Sequence, residues 1–169
     1  FVLRLNLNKL KKKFIKFKIP EGRGDTKIVK KFNRKFKFVD ESYNANPLSM
    51  RSAINNVSQY KLKNNCKKII FLGDMLELGK KTRKYHIELS SLINRSNIDK
   101  VFVYGRHIKE TFNHLSSSKK GKIFMNLNDA YSHFSKILHN NDLLMIKGSN
   151  ATGLNKFSKN IKRGQISAI

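Results

Sequence analysis

The sequence predicts an α/β domain: a Rossmann-like, doubly wound, mostly parallel sheet with helices on both faces. Three observations predict it. Short apolar runs recur along the chain, segments of helical spacing lie between them, and the runs end in Gly and polar residues. Strands that are apolar without polar alternation belong in a sheet covered on both sides, and intervening helices make the crossovers parallel. Right-handed crossovers then give the doubly wound arrangement.

Residues 1–21 are Lys-rich and fit a short strand or a short helix equally. Glu21-Gly22-Arg23-Gly24-Asp25 reads as a turn and a linker because of its glycines. The first run is Phe36-Lys37-Phe38-Val39, followed by helical spacing over residues 47–62 with Pro47 at the helix start. Ile69-Ile70-Phe71-Leu72 and Val101-Phe102-Val103-Tyr104 come next, then the weaker Ile123-Phe124-Met125 and finally Leu143-Leu144-Met145-Ile146. Helical spacing recurs over 83–94, 108–115, 127–138 and 154–161. The chain thus divides into a basic stretch, residues 1–24, and an α/β domain, residues 25–169.

With 39% apolar residues the chain can bury a core. The single Cys66 excludes a disulfide framework and a multi-Cys metal site. No apolar run approaches the ~20 residues that span a bilayer. The chain opens Phe1-Val2-Leu3 without an initiator Met, as a fragment would.

A formal charge of +25 invites a polyanion partner. Lys outnumbers Arg 28 to 8, with 19 Asn and 5 Ala, which is the imprint of AT-rich codons. Dedicated nucleic-acid readers favour Arg forks and stacking aromatics instead. A non-enzymatic basic module binding nucleic acid or another polyanion is therefore the second reading. It is motivated by residues 1–37, where 14 Lys and Arg meet 2 acids.

The strand ends carry the chemistry. Asp40-Glu41-Ser42-Tyr43-Asn44, Gly73-Asp74, Gly105-Arg106-His107 and Lys147-Gly148-Ser149-Asn150 each follow an apolar run. In a parallel sheet these ends share one edge, where ligands bind. His107, His114, His133 and His139 have no metal-ligand spacing and read as surface residues.

Asp40-Glu41-Ser42-Tyr43-Asn44-Ala45-Asn46-Pro47 resembles the opening block of the C-terminal domain in the Mur ligase family, specifically its D-alanyl-D-alanine-adding branch. Three further blocks are similar in family order: Gly22-Arg23-Gly24, then Leu72-Gly73-Asp74-Met75-Leu76-Glu77-Leu78-Gly79 with His86, then Asp142 and Lys147-Gly148-Ser149. The similarity covers about residues 20–155. A folylpolyglutamate synthetase of the same superfamily is disfavoured by the first block.

The resemblance implies an ATP-dependent, cytoplasmic amide ligase of peptidoglycan precursor synthesis. ATP with Mg2+ phosphorylates the carboxylate of UDP-N-acetylmuramoyl-tripeptide, and D-alanyl-D-alanine attacks the acyl phosphate. Residues 1–24 would then be the tail of the family's central ATPase domain. Carried over by position, Arg23, Asp40, Glu41 and Asn44 contact nucleotide, with Asp40 or Glu41 on the ribose; Glu41 departs from a second Asp common in the family. Tyr43, Asn46, Lys147 and Ser149 contact the dipeptide, Lys147 and Ser149 through its terminal carboxylate. Asp74, Glu77 and His86 form a structural loop cluster. No G-x-x-x-x-G-K-[ST] phosphate loop occurs in the chain, so no catalytic residue and no metal ligand is assigned, and the chain alone is expected to be inactive. A partial sequence, one half of a split gene whose other domains form a separate chain, and a decaying remnant all fit this pattern.

Overall fold

The computed structural model describes residues 21–163 and 165–167; the choice between strand and helix for residues 1–21 lies outside them, save Glu21. Seven strands form one sheet in the order β5-β4-β3-β6-β2-β1-β7. They are β1 (Asp25–Lys31), β2 (Arg34–Glu41), β3 (Lys68–Gly73), β4 (Lys100–Tyr104), β5 (Lys120–Phe124), β6 (Leu143–Lys147) and β7 (Gln165–Ser167). β5, β4, β3, β6 and β2 are mutually parallel, whereas β1 is antiparallel to both β2 and β7. All five predicted runs are strands of the parallel part. β1 was not foreseen as a strand, because Asp25-Thr26-Lys27-Ile28-Val29-Lys30-Lys31 contains no apolar run.

The β1–β2 hairpin turns through Phe32 and Asn33, both with φ 55. Two left-handed residues match the twist of the flanking strands. Asn tolerates that conformation; Phe32 adopts it while its ring packs edge-on against Tyr131 at 4.9 Å.

Strand alternation sorts the core into two layers. Val39, Ile70, Leu72, Val101, Val103 and Met145 face helices α1 (Pro47–Gln59), α2 (Thr82–Asn94) and α3 (Ile108–Asn113). Phe36, Phe38, Phe71, Phe102, Phe124 and Ile146 face α4 (Leu127–Ile137) and α5 (Leu154–Lys162). One layer is mainly aliphatic and the other is a web of phenylalanines, with Phe71 within 5.7 Å of Phe124, Phe134 and Phe157. Both faces of the sheet are thus covered, as doubly wound sheets require.

Helix α1 starts where the sequence signals it. Asn46 is the N-cap, its side chain accepting from Ser49 N–H while the Ser49 hydroxyl reaches back to Asn46 N–H, and Pro47 is the first helical residue. These connections bring the C-terminal ends of β2, β6, β3 and β4 to one edge, in that spatial order. Among the described residues no helix is long and apolar enough to cross a membrane.

Candidate functional site

The expected linker is a turn fastened to the sheet. Gly24 N–H donates to the Asp40 carbonyl at 2.9 Å, and Tyr43 N–H donates to the Gly22 carbonyl at 3.1 Å. Gly22 has φ 76, and a Cβ there would meet the Tyr43 Cβ and N at 2.9 Å, so the close approach requires glycine. Between the two glycines, exposed Arg23 lays its guanidinium over the Tyr43 ring, 4.4 Å from the centroid. Tyr43 is 49% exposed and is not a core residue.

The two adjacent carboxylates differ sharply. Asp40 is 2% exposed. Its Oδ1 accepts from both the N–H and the hydroxyl of Ser42, and its Oδ2 lies 2.7 Å from the Lys162 ammonium. Burial alone would raise the Asp40 pKa, but the hydrogen bonds from Lys162 and Ser42 outweigh it and hold the carboxyl below its usual range. Lys162 also reaches Glu21 at 2.8 Å, and these bonds raise its pKa against the opposing effect of burial. Glu41 presents Oε2 to the Lys147 ammonium at 3.3 Å, while its Oε1 faces Gly24.

Lys147 is directed inward. It is 1% exposed, with its ammonium on Glu41 and, at 3.0 Å, on the Asn44 carbonyl. Burial lowers its pKa, and Glu41 opposes that shift. A terminal carboxylate would have to displace one of those partners to meet this ammonium. Ser149, also buried, accepts from Leu76 N–H at 3.0 Å and donates to the Ala45 carbonyl at 3.4 Å, tying three strand-end loops together. Asn44 is exposed, its side-chain oxygen accepting from Ala45 N–H, and the oxygen of Asn46 is engaged as the helix cap.

The loop cluster exists in part. Asp74 accepts from the backbone N–H groups of Arg106, His107 and Ile108 at 3.0, 2.9 and 2.7 Å, capping α3 from the neighbouring strand. A Cβ on Gly105 would lie 2.5 Å from the Asp74 oxygen, so this glycine admits the cap. His86 is fully buried, its Nε2 3.1 Å from Met75 N–H and its Nδ1 2.7 Å from the Thr82 carbonyl. Glu77 is exposed, at a left-handed turn position with φ 63, and takes part in none of the hydrogen bonds that hold Asp74 and His86. The surface assignment holds for His114 and His139 but not for the other two histidines. His133 is partly buried against Phe102 and Phe124, and His107 packs near His86 with ring centroids 5.9 Å apart.

Two clefts open along this edge. One, of about 380 Å³, is lined by Glu21, Asp40, Ser42, Tyr43, Asn155 and Lys159. The other, of about 410 Å³, lies beyond Asp74 and is lined by Tyr104, Arg106, Lys109, Met125 and Thr152. Among the described residues no three His, Cys, Asp or Glu side chains converge as a metal site.

The model of the Mur ligase glutamate ligase domain matches residues 26–150. The chain belongs to the Mur ligase family.

Within it, the chain is similar to the UDP-N-acetylmuramoyl-tripeptide–D-alanyl-D-alanine ligase of Rickettsia prowazekii, 30% identical over 138 residues, which is 82% of this chain and 29% of that protein. The same ligase of Buchnera aphidicola subsp. Baizongia pistaciae is 35% identical over 119 residues, 69% of this chain and 24% of that protein. Among solved structures, MurF from Acinetobacter baumannii aligns over 95% of this chain and 34% of its own, with TM-score 0.74 and 20% identity. The Thermotoga maritima MurF ligase in complex with ADP aligns over 88% of this chain and 33% of its own, with TM-score 0.69 and 21% identity. The Mur ligase C-terminal fold is thereby established, and the chain spans about a third of the length of the relatives it matches.

Lys162 and Glu21 were not singled out from the sequence of this Mur ligase domain. A signal for Lys162 was present: Leu154, Phe157, Ser158, Ile161 and Lys162 make one helical stripe, all buried, and a charge on such a stripe needs a buried partner. The identity of that partner, distant in sequence, was not legible.

Proposed function

We propose that this chain supplies the C-terminal domain of an ATP-dependent ligase that joins D-alanyl-D-alanine to UDP-N-acetylmuramoyl-tripeptide in the cytoplasm. The observation that carries the reading is the junction at the β2 end: exposed Arg23 over the half-exposed Tyr43 ring, beside a Glu41 that meets Lys147 through one oxygen and faces Gly24 with the other. The names of the curated relatives support the substrates. Arg23 offers a guanidinium fork to phosphate or ribose oxygens. Of the two carboxylates, Glu41 is the ribose acceptor, since both Asp40 oxygens are engaged by Ser42 and Lys162. Lys147 acts through Glu41, fixing its position, and Ser149 fixes the loop that presents Asn44. Tyr43 and Asn44 give an aromatic face and an amide to adenine or the dipeptide.

ATP, when bound, supplies the phosphoryl group that activates the substrate carboxylate, and Mg2+ screens its charge. These residues fit the periphery of a nucleotide and not its terminal phosphate, for which the chain has no phosphate loop. This domain therefore closes and orients the site rather than performing the transfer. In a complete ligase carrying this domain, Arg23→Ala is expected to raise the KM for ATP about tenfold or more, the order of one charge-assisted hydrogen bond. An unchanged KM would sink the reading. So would phosphate release by the purified chain alone that depends on both UDP-tripeptide and D-alanyl-D-alanine.

A further inference from the structure

The edge of the sheet opposite the ligand-binding one carries a different chemistry. Five segments form it: the β1–β2 turn and the loops entering β3, β4, β5 and β6. They are in direct contact along the edge. Asn141 N–H donates to the Lys35 carbonyl at 2.7 Å, Lys67 N–H to the Asp142 side chain at 2.8 Å, Asp99 N–H to the Lys68 carbonyl at 2.9 Å, and the Lys119 ammonium to the Ile98 carbonyl at 2.7 Å. The result is one continuous surface.

Its exposed side chains include Arg34, Lys35, Lys61, Lys63, Lys67 and Arg95. Its two carboxylates are turned to the backbone. Asp142 is buried and accepts from the N–H groups of Lys67 and His139, and Asp99 accepts from Lys68 N–H. Among the described residues, every ion pair of a Lys or Arg lies away from this edge, where the sole charged contact is His139 with Asp142 at 3.8 Å. The ammonium groups here rest on main-chain carbonyls instead: Lys68 on Ser58, Lys100 on Ser118, Lys119 on Ser96 and Lys120 on Asn113. Among the described residues the exposed Lys and Arg of this edge thus form no ion pair, whereas at the ligand-binding edge the buried Lys147 and Lys162 are paired with Glu41, Asp40 and Glu21.

We infer that this edge is an adsorption face for a bilayer carrying acidic phospholipid headgroups. A broad field of point charges on flexible stems suits a fluid anionic surface, to which each nearby Lys or Arg adds attraction. Nucleic acid is the poorer match. Among the described residues the large apolar side chains that stand exposed, Tyr43, Leu48 and Met125, all lie at the opposite edge, and Tyr60 at this edge is only partly exposed with Lys37 over its ring at 4.6 Å, so no open stacking platform accompanies these cations. With no apolar wedge, the contact is electrostatic, reversible and salt-sensitive. Adsorption through this edge leaves the clefts beside Asp40 and Asp74 facing away from the bilayer, and the inference does not rest on the proposed ligase role.

The test is cosedimentation of the full 169-residue chain with vesicles of one part phosphatidylglycerol to two parts phosphatidylcholine. Lys61, Lys63 and Lys67 are replaced together by Glu, and a control carries the same number of reversals at exposed Lys80, Lys81 and Lys122. The edge variant is expected to lose binding about a hundredfold or more, and the control less than about tenfold, since only charges near the surface contribute. Equal losses would show that net charge alone is being read, and would overturn the inference. It would also be overturned if duplex DNA at matched salt displaced the wild-type chain from vesicles and showed the same dependence on the edge lysines.

Discussion

His86 shows how a buried side chain can have its protonation state dictated by two backbone groups. Its Nε2 must accept from Met75 N–H, so the proton sits on Nδ1 and is given to the Thr82 carbonyl. A proton added to Nε2 would confront the Met75 N–H, and burial lowers the pKa from 6.5. The folded state therefore binds fewer protons than the unfolded chain once pH falls below about 6.5, and stability must decline there, being fully present above that value. We expect urea-unfolding free energy to fall between about pH 7 and 5.5, and the fall to be shallower in His86→Gln, which can keep one acceptor and one donor. His133 titrates in the same direction, its pKa lowered by burial and by Lys122 and Lys136, so the difference between wild type and variant is the informative quantity. Parallel pH profiles for the two proteins would refute the assignment.

Helix α5 is held to the sheet by an apolar stripe and one ion pair, and the pair has the larger consequence for the site. Lys162 and Asp40 have side chains 7% and 3% exposed and lie 2.7 Å apart, while Glu21, 64% exposed, completes the bridge. Removing one partner of a buried pair strands a charge, so Lys162→Met should cost about 3–5 kcal/mol in urea unfolding. Adding Asp40→Asn to it should restore much of that loss, whereas Glu21→Gln should cost under about 1 kcal/mol because the group is solvated. A Lys162→Met protein as stable as wild type would show that the bridge is dispensable. The same element marks the boundary of what the sequence discloses. Strands β2 to β6 could be read from their apolar runs and α1 from Asn46-Pro47, because those signals are local. The pairing of Glu41 with Lys147 could not, since it joins strands far apart in sequence through the parallel register Glu41↔Lys147. Likewise β1 is visible only through its pairing, as Lys27, Lys30 and Lys31 leave only Ile28-Val29 apolar and the segment reads as polar chain. Position at the strand-end edge was legible; which side chains point inward there was not.

Across the whole molecule, the two apolar layers share a single sheet, so neither can form without the strands that order the other. Phe71 and Leu72 are sequential neighbours buried in opposite layers, and the same holds for Phe38 and Val39 and for Phe102 and Val103. The turn at Gly22–Gly24 is hydrogen-bonded to β2, so the folded unit extends to that turn. A chain beginning at Gly22 retains both layers and loses, of the contacts described, the solvated Glu21 partner of Lys162. Residues 22–169 should therefore unfold in one cooperative transition, with calorimetric and van't Hoff enthalpies equal at about 100 kcal/mol, the usual value per residue for a domain of this size. Two resolved transitions would mean that the antiparallel β1–β2–β7 portion unfolds apart from the parallel core. A broad, non-cooperative melt would mean that the apolar layers need support from residues before Gly22, and the domain would then not be an independent folding unit.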